Sequence, residues 1–239
     1  MKINHFFLIT FLIFSSCNSS VKHDPYTDTP TSGEITIVAD ESYQPLVQVQ
    51  IDTFMEIYKY AKINVKYLPE SEVFNALMNN DTIRLAIVAR ELTNDEKTFF
   101  DNKKIIPRTL KVAEDAIALV VNKENADTTI TYEQLENILQ GKINRWEQLN
   151  SGGMKDSIRI VFDKNGSTNS RFLNERFLKG KSFPSNIYAT NSNASVIDYV
   201  SENKGTLGII GVNWISDKDD SLAASFLKKI SVADLCRLP

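Results

Sequence analysis

Short apolar segments alternate with amphipathic segments along the chain from Glu34 onwards. Residues 35–39 are a β-branched run that predicts a strand, and a last strand is predicted over 206–210. The apolar residues after the first strand recur at the spacing of one helix face, at Val47, Ile51, Phe54 and Tyr58. Strands that alternate with helices form parallel sheets covered by helices. The sequence therefore predicts an α/β protein.

Local signals mark where several of these helices begin and end. Ser42 is the predicted N-cap of the first helix, and Pro45 suits its first turn. Residues 93–96 and 131–134 are predicted capping boxes, because a threonine is followed three residues later by glutamate or glutamine. Gly141 is the residue expected just beyond the end of the second of these helices.

Composition excludes several classes of function. The chain of 239 residues is 42% hydrophobic and carries a formal net charge of −3, which fits a globular protein without a basic surface for nucleic acid. Both histidines, His5 and His23, precede the first predicted strand, so the folded part has no imidazole base for Ser/His/Asp or Cys/His chemistry. Because there is no Cys/His cluster, we expect no metal site and no cofactor.

The N-terminus has the features of a secretory signal peptide. A positively charged start precedes an apolar stretch over 6–14 that is too short to span a bilayer. Cys17 follows two serines, which resembles a bacterial lipobox with Phe14 where leucine is usual. We expect residues 1–16 to be the signal peptide and residues 17–33 to be a flexible tether lipidated at Cys17. The alternative is a cleaved signal peptide with an incidental cysteine.

Polar residues follow three of the predicted strands. Arg90 comes directly after one strand and offers a two-pronged donor to an oxyanion. The other two strands lead into polar loops and then helices, whose first backbone N–H groups are free to bind an anion. These loops contribute Ser42 and Tyr43, and Ser167, Thr168 and Asn169. Since ligands of open α/β sheets lie beyond the carboxyl ends of the strands, we predict an oxyanion-binding cleft. The competing interpretation is ordinary N-caps and a surface arginine.

Longer motifs point to one family. They lie over residues 39–45, 89–93, 115–122, 138–146, 161–169 and 208–214. With these motifs the sequence resembles the phosphate-type, PstS-like solute-binding proteins of ABC transporters, in their lipid-anchored form, over residues 34–216.

The resemblance implies a two-lobed, type II periplasmic-binding-protein fold that closes on its ligand through a hinge. The first lobe is expected over 34–112, the second over 113–212, and a return to the first lobe over 213–239. By the match of motifs, the ligand-binding residues are Ser42, Tyr43, Arg90, Ser167, Thr168 and Asn169. The family also implies a monomeric periplasmic or cell-envelope lipoprotein, membrane-anchored through Cys17.

The sequence departs from the family pattern in three places. Residues 167–169 read Ser-Thr-Asn, whereas relatives often have Ser-Gly-Thr with an arginine a few residues earlier. Ala89 stands near the position of an aspartate that accepts the ligand's proton in the best-known phosphate binders. Candidates to replace that aspartate are Asp40, Glu41 and Asp163. After Trp214 the family segment that completes the first lobe has no match, so we expect an incomplete C-terminal part with an exposed apolar face.

The expected function is therefore binding of inorganic phosphate or a related oxyanion and its delivery to an ABC permease, without catalysis. One alternative is an oxyanion sensor or a degenerate paralogue without a transport role. A second is a secreted hydrolase that uses carboxylates such as Asp163 and Glu175, although such carboxylates are usually solvated.

Overall fold

A computed structural model of the protein describes residues 29–149 and 154–236. These residues form two β-sheets with helices packed against them. The chain completes a small three-stranded sheet before it enters a six-stranded one, so the molecule has two α/β lobes. The predicted α/β class is confirmed. The predicted signal peptide, Cys17 and both histidines lie outside the described residues.

The first lobe is built on a parallel sheet in the order β2–β1–β3. The strands are β1 (Ser32–Asp40), β2 (Tyr60–Leu68) and β3 (Ile83–Ile87). The helices are α1 (Gln44–Ile57), α2 (Glu70–Asn79) and α3 (Asn94–Asn102). α1 packs against β1 and β2, and α2 packs against all three strands. Because β1 begins at Ser32, the last two residues of the predicted tether belong to the sheet.

The second lobe is built on a mixed sheet in the order β5–β9–β4–β8–β6–β7. The strands are β4 (Ile117–Asn122), β5 (Thr129–Thr131), β6 (Arg159–Phe162), β7 (Ile187–Ala189), β8 (Thr206–Gly211) and β9 (Ile230–Cys236). The helices are α4 (Tyr132–Leu139), α5 (Thr168–Leu173), α6 (Asn193–Glu202) and α7 (Ser221–Lys229). β6 runs parallel to β7 and β8, whereas β4 runs antiparallel to β8 and β9.

Residues 221–236 lie in the second lobe, so the expected return of 213–239 to the first lobe is wrong for this part of the segment. β9 pairs with β4, from Leu119 opposite Ala233 to Asn122 opposite Ile230. On its other edge β9 pairs with β5. The physical reason is apolar burial, because Ile230 and Ala233 are 2% and 6% exposed within this sheet.

Most of the local helix signals are confirmed. Thr93 and Thr131 form complete capping boxes, in which the side chains of Glu96 and Gln134 bond back to the threonine backbone. Gly141 follows the end of α4 with a φ of +74°. Ser42, however, is not an N-cap. Asp40 caps the short 3₁₀ turn Glu41–Tyr43 by accepting from the Ser42 backbone N–H at 3.0 Å, and α1 starts after that turn.

The two lobes differ in how much of their apolar surface is buried. The second lobe contains large apolar clusters, one of which surrounds the fully buried Trp146. The cluster of the first lobe has only three fully buried members, Val38, Val73 and Ile83. Residues 105–116, which join the lobes, form neither helix nor strand, and they expose Ile106, Leu110 and Val112 to 88%, 80% and 79%. Apolar surface is thus concentrated on the first lobe and this connection.

Within the two described ranges, every helix is too short or too polar to cross a lipid bilayer.

Candidate functional site

The candidate site lies where one loop from each lobe meets the other. The first loop follows β1 and contains the 3₁₀ turn Glu41–Tyr43, and the second joins β6 to α5. The backbone N–H of Ser71, at the start of α2, donates to the carbonyl of Gly166 at 3.0 Å. Gly166 has a φ of +80°, a conformation that favours glycine. Backbone contact between the lobes therefore frames the site.

Asp163 is the central acceptor of the site. Its side chain is fully buried and accepts from Ser167 Oγ at 2.6 Å and from Asn169 Nδ2 at 3.1 Å within its own lobe. From the first lobe, Ser42 Oγ donates to the same carboxylate at 3.2 Å. Burial raises the pKa of Asp163 to about 6, although these hydrogen bonds oppose the shift. Asp163 is therefore a buried carboxylate that collects donors from both lobes.

Asp40 makes the reciprocal contact from the first lobe. Its side chain is fully buried, and its second oxygen accepts from the backbone N–H of Thr168, the first residue of α5, at 3.1 Å. Burial is the largest cause that raises its pKa. The N–H group that was expected to face an oxyanion thus bonds to a carboxylate of the protein.

Glu41 forms a third contact between the lobes. One of its oxygens accepts from the backbone N–H of Asn193 at 3.3 Å, and the other accepts from Asn193 Nδ2 at 2.8 Å. Burial raises the pKa of Glu41 to about 7, with a further contribution from the nearby charge of Asp163. Asn193 also donates to Asp163 at 3.3 Å, so one asparagine links two acidic side chains.

Glu70 connects the site to Arg171 of the opposite lobe. It is 2% exposed at the start of α2 and accepts from Arg171 Nε at 2.6 Å. Thr168 Oγ1 and the backbone N–H of Ala89 also donate to it, at 3.0 and 3.1 Å. Arg171 Nη1 donates outward to the exposed Glu175. A buried carboxylate, paired with a cation and hydrogen-bonded, thus flanks the site.

Arg90 does not join the polar loops. Its guanidinium donates to both oxygens of Glu96 at 2.8 Å and lies 3.7 Å from the ring centroid of Phe74. Its nearest approach to Glu70 is 4.0 Å. The hydrogen bonds from Arg90 lower the pKa of Glu96 to about 2. Arg90 therefore stabilises the start of α3, and the structure does not direct its guanidinium at the donors around Asp163.

The other residues expected from the sequence lie together. Ser42, Ser167, Thr168 and Asn169 all contact Asp40, Glu70 or Asp163. Tyr43 is half-buried beside them, and burial next to Asp40 raises the pKa of its hydroxyl. The first loop is also held by the segment after β8, because Trp214 Nε1 donates to the Ser42 carbonyl at 3.0 Å. Sequence reasoning missed Glu70, Arg171 and Asn193.

The arrangement suits binding more than catalysis. Asp163 is bound on both oxygens, and Glu175 pairs with Arg171 at the surface, so these two carboxylates do not form the acid–base pair of a hydrolase. Over residues 29–149 and 154–236, His, Cys, Asp and Glu side chains do not assemble into a group of three that could hold a metal ion. Converging hydroxyl, amide and backbone donors at a contact between two lobes are what a polar solute would need.

Two α/β lobes that meet through polar loops at the strand ends define the class of two-lobed solute-binding proteins. The chain belongs to the PBP superfamily, because the model of the PBP superfamily domain matches residues 24–236. This confirms the family resemblance of the sequence motifs.

The chain is similar to phosphate-binding proteins named PstS. It is 24% identical to the protein from Staphylococcus epidermidis over 191 residues, which is 80% of this chain and 56% of that protein. For the protein from Staphylococcus aureus the identity is 24% over 203 residues, 84% of this chain and 60% of that protein. The chain thus spans little more than half the length of these relatives.

Solved structures share the fold. A protein from Clostridium perfringens, determined with bound phosphate, matches 85% of this chain and 76% of its own, with a TM-score of 0.69 and 20% identity. An ABC-type phosphate transport receptor from Vibrio cholerae matches the same shares with a TM-score of 0.57 and 21% identity.

Proposed function

We propose that the protein binds inorganic phosphate or a related oxyanion between its two lobes and delivers it to an ABC permease. The observation that carries this proposal is the convergence of donors from both lobes, Ser42 Oγ from the first and Ser167 Oγ, Asn169 Nδ2 and Thr168 N from the second. Tetrahedral oxyanions need several donors arranged around them. The names of the similar proteins support phosphate as the anion.

The contacts between the lobes suggest how the anion enters. The bonds from Ser42 to Asp163 and from Thr168 to Asp40 each join one lobe to the other, so separating the lobes breaks both and frees the two donors. An oxyanion that accepts from Ser42 Oγ and Thr168 N in place of these two carboxylates joins the lobes again. Binding and closure are therefore coupled, and no covalent bond is made or broken.

Titration calorimetry of the purified protein tests the proposal. We expect saturable binding of phosphate, with arsenate, sulfate and molybdate as comparison anions. Absence of binding for all four anions would refute the proposed function. Turnover of phosphate esters would instead favour the hydrolase, and tight binding without phosphate uptake by cells would favour a sensor.

The two arginines near the cleft are expected to differ in their effect on binding. Arg171→Ala removes the ion pair with Glu70, which joins the two lobes and therefore favours closure on phosphate. Because hydrogen bonds to charged groups contribute about 1.5–3 kcal/mol, phosphate affinity should fall roughly tenfold to a hundredfold. Arg90→Ala is the matched control, because its guanidinium is bound by Glu96. We expect it to change the affinity by less than about threefold. Calorimetry on both variants checks this, and the opposite order would return Arg90 to the site.

We further propose that the protein is a monomeric cell-envelope lipoprotein, membrane-anchored through Cys17. Cys17→Ser is expected to release it from the membrane fraction, because the acyl chains would no longer be attached. Metabolic labelling with palmitate measures the anchor directly. Labelling of the variant as strong as that of the wild-type protein would contradict the lipobox interpretation.

A further inference from the structure

Besides Glu70, which is paired with Arg171, three carboxylates hold donors of the opposite lobe in the candidate site. Asp163 of the second lobe accepts from Ser42 of the first at 3.2 Å. In the other direction, Asp40 accepts from Thr168 N at 3.1 Å and Glu41 from Asn193 Nδ2 at 2.8 Å. These donors are among those that an oxyanion would use. An anion that binds here therefore competes with carboxylates of the protein.

Charge makes this competition unfavourable when the carboxylates are ionised. Among the described residues, Asp40, Glu41 and Asp163 form no ion pair, because the nearby cations pair with other carboxylates. Arg171 pairs with Glu70, Arg90 with Glu96 and Lys164 with Glu72. The remaining charged or titratable groups near the cluster are Tyr43 and Glu70, which act on Asp40 or are acted on by it, and Asp115, which acts on Tyr43. An oxyanion would add negative charge to a buried, negatively charged cluster.

We propose that the site admits an oxyanion only together with at least one proton, which is taken from solvent and held by Asp163 or Glu41. This inference rests on the proposed function and adds the condition under which the site works. A protonated carboxyl loses its negative charge and gains an O–H that donates to an oxygen of the anion. The same side chain thereby changes from a competitor of the anion into one of its partners.

The energetics of these two groups agree with the geometry. Burial raises the pKa of Asp163 to about 6 and that of Glu41 to about 7, so a small change in surroundings protonates them near neutral pH. A bound anion raises both pKa values further. Affinity is then fully present below the pKa of the free protein and is lost as pH rises, by about tenfold per pH unit for each proton. We expect phosphate affinity to fall about tenfold to a hundredfold between pH 6 and pH 8.

The test is calorimetric titration of the whole protein with inorganic phosphate at pH 8, where both carboxyl groups of the free protein are mostly ionised, in two buffers with different ionisation enthalpies. The difference in observed heat gives the number of protons taken up. Phosphate contributes its own protonation equally to every variant, so the difference between variants belongs to the protein. We expect the wild-type protein to take up about one proton more than the double variant Asp163→Asn, Glu41→Gln, and the two single variants show which side chain holds the proton. Asp219→Asn, an exposed acidic residue far from the cluster in sequence, is the control and should match the wild type.

The possible results separate the two proposals. Equal proton uptake by the wild-type protein and the double variant would overturn the proton linkage while phosphate binding stands. A pH dependence of phosphate affinity between pH 6 and pH 8 that is the same in these two proteins would do the same. No binding of phosphate at pH 5.5, 7 or 8 would overturn both the linkage and the proposed function. Glu41→Gln alone keeps the test available if Asp163→Asn fails to fold, since among the described residues only Asn193 donates to Glu41.

Discussion

Valine in place of Gly166 is expected to hold the two lobes apart and to reduce phosphate affinity by roughly tenfold to a hundredfold. Gly166 has a φ of +80°, which costs a β-branched residue about 1–2 kcal/mol. A Cβ atom at this position would overlap Ser71 Oγ of the opposite lobe, which can rotate away, and would lie 3.3 Å from Ser71 Cβ, which cannot. The hydrogen bond from Ser71 N to the Gly166 carbonyl forms in the same place, so the clash acts directly on closure. Affinity is measured by titration, and lobe separation by small-angle scattering.

Gly180→Val is the matched control for this variant. Gly180 has a φ of +82°, but within the described residues nothing lies within 4 Å of the Cβ position. It therefore carries the same backbone strain without the contact between lobes. We expect Gly180→Val to lower stability modestly and to bind phosphate like the wild-type protein. Equal loss of affinity in both variants would show that strain, and not the contact with Ser71, is responsible.

Trp146→Ala is expected to lower the free energy of unfolding by about 3–5 kcal/mol. Trp146 is fully buried in the core of the second lobe, and its Nε1 donates to the Gly205 carbonyl at 3.1 Å. Truncation leaves a cavity and removes one of the two hydrogen bonds to the Gly205 carbonyl, which still accepts from Arg159 N at 3.0 Å. Denaturant unfolding followed by circular dichroism measures the change. Tyr188→Ala is the comparison, because its side chain is 51% exposed and should matter by less than about 1 kcal/mol. Similar losses in the two variants would contradict the core role of Trp146.

The helix caps and polar loops that the sequence predicted correctly depend on neighbouring residues alone. A threonine and a glutamate three residues apart can form a capping box without help from the rest of the chain, as at Thr93 and Glu96. The polar loops after β1 and β6 were likewise predictable, because they follow apolar strands. What the loops touch depends on how the lobes meet. Glu70 and Arg171 are 101 positions apart in sequence, and their contact has no local signature.

The C-terminal segment shows a different kind of error. Residues 230–235 alternate apolar and polar side chains as Ile-Ser-Val-Ala-Asp-Leu, which is close to the pattern of a half-buried strand. This pattern predicts a strand, whereas the family resemblance implied that a part of the first lobe was missing. A strand joins the sheet in which its apolar side chains are buried and in which a strand edge is free to pair. For β9 this position is between β4 and β5. Strand pairing of this kind joins residues that are more than a hundred positions apart.

The position of β9 inside its sheet sets the order in which the molecule can be made. β5 pairs with β9 alone within the described residues, and β4 needs β9 on one of its two edges. A ribosome that has produced β5 must add about a hundred residues more before the partner of that strand exists, which takes on the order of 5–20 s. All three strands of the first lobe precede β4 in the chain, so that lobe can fold before the second lobe is complete. The polar contact between the lobes is then the last part of the molecule to form.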